Sequence, residues 1–64
     1  MKYSELHRIL RNAGCYPLEG KQIAGHPVWY SPITGKKFPT SHHGAQEVKR
    51  GTLKNIIRDS GVEI

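Results

Sequence analysis

The chain has 64 residues, of which ten are Lys or Arg and five are Asp or Glu, giving a formal net charge of +5. A domain of this size buries only ~60% of its unfolded surface, so we expect one domain over residues 1–64, with a thin core and any ligand bound on the surface. The single cysteine excludes an internal disulfide, and no apolar run approaches the ~20 residues that a membrane-spanning helix needs.

The positive charge predicts a polyanionic partner, although nucleic acid, acidic lipid and an acidic protein all fit it. The basic residues are spread along the chain, so folding has to gather them into a binding patch. The candidates for this patch are Lys21, Lys36, Lys37, Lys49 and Arg50. The chain starts directly in a helical pattern, without an apolar signal region, which favours a cytoplasmic protein.

The first predicted element is an amphipathic helix from Ser4 to Ala13. Its apolar residues recur at helical spacing, at Leu6, Ile9, Leu10 and Ala13. Ser4 is the predicted N-cap, and Gly14 is the predicted stop because glycine readily takes the left-handed conformation that ends a helix. We expect the polar side chains outside the stripe to face solvent, namely His7, Arg8 and Arg11.

A short apolar run from Cys15 to Glu19 follows, and we predict it to be an edge strand. Pro17 has no backbone N–H and is therefore unsuited to a central strand. Cys15 is expected to be a small buried hydrophobic residue, since no neighbouring basic residue or helix start marks it as a reactive thiolate. Residues 20–25, with a glycine at each end, are predicted to form a loop.

The middle of the chain predicts a three-stranded antiparallel meander. Its second strand runs from His26 or Val28 to Ser31, residues 32–35 form a turn, and Lys36–Pro39 form the third strand. Side chains alternate across a strand, so one face carries His26, Val28 and Tyr30 and the other carries Pro27, Trp29 and Ser31. Both faces carry apolar bulk, and the pattern leaves open which of them meets the helices.

His26 lies just after Gly25, at the start of an aromatic strand. A glycine-containing turn at this point leaves the side chain open to a large ligand, which makes His26 a candidate active-site residue. The alternative is that His26 only ends a surface loop.

Residues 40–47 are polar and lack periodicity, so we predict a surface loop. The adjacent His42 and His43 are a weak match for zinc, which takes three or four ligands at suitable spacing, and no metal is expected. Two other readings remain open for this pair: a supporting role near bound RNA, or a plain solvated loop.

The last element is a second amphipathic helix that ends at Gly61. Its stripe comprises Leu53, Ile56, Ile57 and Ser60. Because each helix has one apolar stripe and the sheet has one face to bury, we expect both helices on the same face. The order α-β-β-β-α in a single basic domain predicts an α+β, double-stranded-RNA-binding-like fold.

Several strings of this sequence, taken in order, resemble HicA-type toxins, the small mRNA-cleaving partners of HicB-type antitoxins. The resemblance covers nearly the whole chain. The strings are Leu10-Arg11-Asn12-Ala13-Gly14, Gly25-His26, Ser31-Pro32 with Gly35, Glu47-Val48-Lys49-Arg50-Gly51-Thr52-Leu53, and Ile57-Arg58-Asp59-Ser60-Gly61.

The resemblance implies a toxin of a type II toxin-antitoxin system, an endoribonuclease that works without a cofactor. It also implies that His26 is the catalytic residue and that an antitoxin blocks activity by binding over the site. The sequence departs from the family at Ala24, where many members have glycine, and at Pro27, where a basic or histidine residue is usual. The loop after Pro39 is also longer.

The chemistry expected of His26 is transesterification, in which the ribose 2′-OH attacks the neighbouring phosphate and the 5′-oxygen leaves. Histidine can take or give a proton near neutral pH. Cations are needed for the charge that develops on the phosphate, and the predicted hairpin offers Lys21, Lys36 and Lys37. Together with Gly25 and Arg50 they form the predicted RNA-binding set, although each lysine can equally be a solvated surface residue.

Trp29 and Tyr30 are candidates for stacking on bases, and we expect at least one of them to belong to the core. The competing interpretation of the whole chain is a non-catalytic RNA-binding module of the same fold. A third is a catalytically inactive relative that binds only protein.

Overall fold

Two helices and a three-stranded sheet make up the structure, a computed structural model that describes residues 1–64. The elements are α1 (Tyr3–Asn12), β1 (Tyr16–Ile23), β2 (His26–Ser31), β3 (Lys36–Pro39) and α2 (Arg50–Ser60). The sheet is antiparallel with strand order β1-β2-β3, so β1 is an edge strand, as predicted. The expected α-β-β-β-α order of an α+β fold is confirmed. Neither helix has the length and apolar character that a membrane crossing requires.

The buried face of the sheet is the one that carries Trp29 and Phe38. These residues pair in register on β2 and β3, and they are only 3% and 1% exposed. Both helices pack on this face, as expected from their stripes, and contribute Tyr3, Leu6, Leu10 and Ile56 to the same core cluster. Burying each large apolar side chain contributes about 1.5–3 kcal/mol, so this face supplies most of the driving force for folding.

The start of α1 differs from the prediction, because Ser4 lies inside the first turn and is not the N-cap. The N-cap is Lys2, which makes no side-chain capping hydrogen bond. Instead, the N–H of Tyr3 donates to the carbonyl of Gln46 and the N–H of Ser4 donates to that of Gly44, each at 3.0 Å. A distant loop therefore satisfies the free N–H groups of the helix, and a local sequence pattern cannot reveal such a contact.

The strand β1 extends through residues 20–23, which were predicted as loop. Gln22 pairs with Pro27 and Ile23 with His26, but a bulge separates this pairing from the one that ends at Leu18. A bulge adds residues to one strand only and interrupts the alternation of side chains. The period-two signal is lost there, which is why the sequence pattern resembled a loop.

The extension of β1 reduces the connection between β1 and β2 to Ala24 and Gly25. Both residues have positive φ angles, 51° and 80°. Two successive positive φ angles are the requirement of a type I′ hairpin turn, whose twist matches that of the flanking strands. The second strand consequently starts at His26 itself, the earlier of the two predicted positions.

The end of α2 follows the prediction and also anchors the hairpin between β2 and β3. Gly61 adopts the left-handed conformation, with φ 71°. Next to it, the buried hydroxyl of Ser31 donates to the carbonyl of Ser60, and the hydroxyl of Thr34 donates to that of Asp59. These bonds satisfy carbonyls that the helix end would otherwise leave free.

His7 does not face solvent as predicted. It is half-buried, with its ring centroid 4.8 Å from that of Trp29, and its Nε2 lies 3.0 Å from Oγ1 of Thr40. Arg11 stays exposed, but its guanidinium lies over Trp29, 5.0 Å from the ring centroid. Both side chains thus cover the indole from outside. Arg8 is exposed, as expected.

Candidate active site

His26 is exposed at the first position of β2, directly after the two-residue turn. On one side it pairs with Ile23 of β1. On the other side, the N–H of Thr40 donates to the carbonyl of Pro27 at 3.0 Å, which extends the pairing beyond the end of β3. The central strand therefore begins with a histidine that is paired with β1, is followed by a residue bonded to the segment after β3, and is exposed.

A cleft of about 370 Å³ lies between β3 and α2, and His26 lines it. Its apolar lining comes from residues at the edge of the core, Tyr3, Phe38, Pro39 and Ile56. The polar lining comes from the segment after β3 and from α2, and comprises Thr40, Ser41, Thr52, Asn55, Arg58 and Asp59. A concave surface with several convergent polar groups is the usual form of a ligand site.

Arg58 is the only Lys or Arg that lines this cleft. Its Nε donates to Oδ1 of Asp59 at 3.1 Å, and the side chains of Arg58 and Asp59 are 67% and 25% exposed. Such an exposed ion pair adds little stability, since water screens the attraction. Its effect is on geometry, because it fixes Nε of Arg58 beside Asp59, and both residues line the cleft.

Of the predicted RNA-binding residues, two lie near His26 in the sheet. Gly25 forms the turn immediately before it, and Lys21 lies in the bulged part of β1, one residue before the pairing of Gln22 with Pro27. Arg50 is the first residue of α2. Both basic side chains are exposed.

Lys36 and Lys37 lie at the other end of β2. They pair with Ser31 and Tyr30, which are four to five residues from His26. At about 3.3 Å per residue, this separation is on the order of 13–17 Å. The structure therefore does not gather these two lysines around His26, and neither can touch a group that His26 touches.

The two aromatic candidates lie on opposite faces of the sheet. Trp29 belongs to the core, whereas Tyr30 faces away from the helices and stands beside Tyr16 on β1 with ring centroids 5.6 Å apart. Tyr16 is 47% exposed. Tyr30 and Tyr16 are thus the aromatic residues of β2 and β1 that a ligand can reach.

The remaining candidates lie outside the cleft. His42 and His43 are exposed in the loop after β3, with ring centroids 4.2 Å apart. The structure contains no group of three or more His, Cys, Asp or Glu side chains placed to hold a metal ion. Cys15 is buried in the core, as expected.

Most of the cleft was absent from the sequence-based predictions. Thr52, Asn55 and Asp59 follow helical spacing along α2, adjacent to its apolar stripe. This polar stripe is the one signal that was available in advance. No sequence signal marked Thr40 and Ser41 as cleft residues, because a polar loop pattern does not tell which of its residues become buried.

These features define a small basic α+β domain with a surface cleft that opens beside an exposed histidine. The model of one family, described as the HicA toxin of bacterial toxin-antitoxin systems, matches residues 3–62 and hence all five elements. The chain belongs to the HicA toxin family, which confirms the resemblance noted from its sequence. Membership makes it the toxin of a toxin-antitoxin system and implies a cognate antitoxin as partner. No curated protein and no solved structure matches it.

Proposed function

We propose that this toxin is an endoribonuclease that cleaves mRNA in the cytoplasm, with His26 as its catalytic residue and without a metal or other cofactor. The observation that carries the proposal is the position of His26: exposed at the start of the central strand and among the residues that line a polar cleft, in a chain of the HicA family. A histidine whose backbone is paired with β1, next to a residue bonded to the segment after β3, can hold its imidazole at a constant position relative to bound RNA.

The proposed reaction is attack of a ribose 2′-OH on the adjacent phosphate. The 2′-oxygen forms a bond to phosphorus, the bond to the 5′-oxygen breaks, and the products are a cyclic phosphate and a 5′-hydroxyl. The proton leaves the 2′-OH and one is delivered to the 5′-oxygen. His26 takes or gives a proton in this exchange, a contribution of typically 10²–10⁴-fold in rate.

The proposed RNA contacts extend from His26 along the surface. Lys21 and Arg50 bind phosphates near the site, and Gly25 lets the RNA backbone approach closely because nothing lies within 4 Å of the position a Cβ would occupy. Lys36 and Lys37, at the other end of the sheet, bind phosphates farther along the RNA. Tyr30 is the residue that stacks on an unpaired base, since Trp29 is buried.

A HicB-type antitoxin is the proposed inhibitor, and it binds over the His26 face. The net charge of +5 favours an acidic partner by the same field that attracts RNA. Partner and RNA then compete for one surface, so a ternary complex that cleaves RNA at full rate would be incompatible with this mode of inhibition.

The test of the proposal is His26→Ala, compared with the unchanged chain after expression without a partner. We expect the variant to lose toxicity and to lose cleavage by about 10²–10⁴-fold. Because His26 is exposed and outside the core cluster, the variant should stay folded and still bind RNA. Growth and the integrity of labelled RNA are the measurements.

The matched control is the double change His42→Ala and His43→Ala, which also removes exposed imidazoles but does not alter the cleft. If the double variant loses toxicity and RNA cleavage while His26→Ala keeps both, the catalytic assignment to His26 is wrong. If the unchanged chain binds RNA but leaves it intact, the protein is a non-catalytic RNA-binding module instead.

A further inference from the structure

The cleft between β3 and α2 has two chemically different ends. The carboxyl end of α2 lies at the hairpin between β2 and β3, where Ser31 binds Ser60 and Thr34 binds Asp59. His26 stands at the opposite end of β2, yet it and Arg58 line the same cleft. The cleft therefore extends from His26, at the start of β2, to Arg58, near the carboxyl end of α2.

We infer that this cleft holds the sugar-phosphate backbone of single-stranded RNA and that Arg58 binds a phosphate next to the one cleaved at His26. The inference rests on the proposed nuclease function and adds to it a phosphate site that the predicted set of lysines does not contain. Arg58 is not assigned to the cleaved phosphate itself, because it lies towards the far end of the cleft from His26.

The hydrogen bonding of Arg58 leaves it suited to a phosphate. Its Nε is occupied by Asp59 at 3.1 Å, and its two terminal nitrogens make no hydrogen bond. The planar guanidinium fork presents paired N–H groups that match two phosphate oxygens. The Asp59 carboxylate is paired by the same contact, which reduces its repulsion of an incoming phosphate.

Uncharged polar groups connect the two ends. Thr52 and Asn55 are three residues apart on the cleft side of α2, and Arg58 follows three residues later. Residues at this spacing lie on one side of a helix, so a hydroxyl, an amide and a guanidinium succeed one another over about 9 Å of helix axis. Such donors fit the phosphate and 2′-OH oxygens of RNA without reading its sequence.

The path continues beyond Arg58 to Lys36. The N–H of Lys36 donates to Oγ1 of Thr34 at 3.3 Å, and the hydroxyl of Thr34 donates to the carbonyl of Asp59. Lys36 is thus two hydrogen bonds from the Arg58–Asp59 pair. Lys36 is too far from His26 to take part in the chemistry. This distance fits a contact with a phosphate farther along the same RNA strand.

The experiment compares Arg58→Ala with Lys54→Ala in the full chain. Each variant removes one positive charge from α2, but Lys54 does not line the cleft. The ligand is a single-stranded RNA oligonucleotide methylated at its 2′-oxygens, which cannot be cleaved. We expect Arg58→Ala to weaken binding about tenfold at 0.15 M salt, since one charge-assisted phosphate contact is lost. The log-log salt slope should shrink by about 0.7.

Lys54→Ala should change affinity less than about twofold at this salt, because Lys54 does not line the cleft and its exposed charge is screened by water and salt. Arg58→Lys should recover part of the affinity, since it restores the charge but not the paired geometry. Thermal unfolding of each variant checks that the fold is retained.

Equal losses in Arg58→Ala and Lys54→Ala would overturn the inference, because they would reflect net charge alone. Cleavage that depends on His26 but is unaffected by Arg58→Ala would likewise overturn it and leave the proposed function intact. Binding that depends on Arg58 in a chain that cleaves no RNA would support the cleft as an RNA site and reject the nuclease.

Discussion

His26 is accessible because of the two residues before it. Ala24 and Gly25 make the tightest kind of strand connection, so no loop covers the side chain that follows. Ala24 adopts a left-handed φ of 51°, which costs a residue with a Cβ roughly 1–2 kcal/mol. A glycine there would avoid this strain, and the alanine therefore carries a small cost at the edge of the site.

His7 makes the fold sensitive to mildly acidic pH. Burial, and secondarily the charge of Arg11, lowers the pKa of His7 below its ordinary value of 6.5. Between the ordinary and the lowered pKa the unfolded chain binds a proton that the folded chain resists, so stability is complete above about pH 6.5 and falls as the pH decreases through this window. We expect the melting temperature to decrease accordingly.

His7→Gln is the control for this pH dependence. Glutamine cannot be protonated in this range and has an amide that can replace the contact with Thr40. Lowering the pH from about 6.5 to about 5 should therefore decrease the melting temperature of the unchanged chain more than that of His7→Gln. Parallel curves over that range would show that His7 does not carry the effect.

At the scale of elements, the hydrophobic stripes predicted both helices, and β3 has the predicted bounds. The predictions that were wrong concerned features that depend on contacts between residues distant in sequence. The bulge after Leu18 hid the second half of β1, and the carbonyls of Gly44 and Gln46 replaced Ser4 as the cap of α1. The cleft was not predictable as a unit, because its lining comes from separate segments that meet only after folding.

The contact between α2 and the β2–β3 hairpin gives a prediction about stability. A Cβ on Gly61 would lie 2.8 Å from Cγ2 of Thr34 and 3.0 Å from Cγ2 of Ile33, at a φ of 71°. Thr34 cannot easily move aside, since its hydroxyl binds the carbonyl of Asp59. Gly61→Ala should therefore destabilise the fold by about 2 kcal/mol, seen as a lower urea midpoint.

Gly51→Ala is the matched control. Gly51 lies in the first turn of α2, and nothing is within 4 Å of the position its Cβ would take. The same substitution should therefore be neutral or stabilise by up to about 1 kcal/mol, through the lower entropy of the unfolded chain. A similar loss in both variants would contradict the role assigned to the Gly61 contact.

At the scale of the whole molecule, the basic residues of the proposed RNA path are spread out, from Lys21 near His26, through Arg58 at the cleft, to Lys36 and Lys37 at the hairpin. Three or four phosphates contacted along this path predict a log-log slope of RNA affinity against salt of roughly −2 to −3 for single strands. Measuring the RNA affinity between about 50 and 200 mM salt tests this slope. A slope near zero would exclude phosphate contacts as the source of affinity.

The way the loop after β3 caps α1 limits how this chain can vary in length. Gly44 and Gln46 hold the first turn of the helix, and the N–H of Val48 donates to the carbonyl of Met1 at 2.9 Å. Insertions or deletions within 44–48 would detach these anchors. His42 and His43 are exposed ahead of them, so residues added there should leave all three of these hydrogen bonds in place.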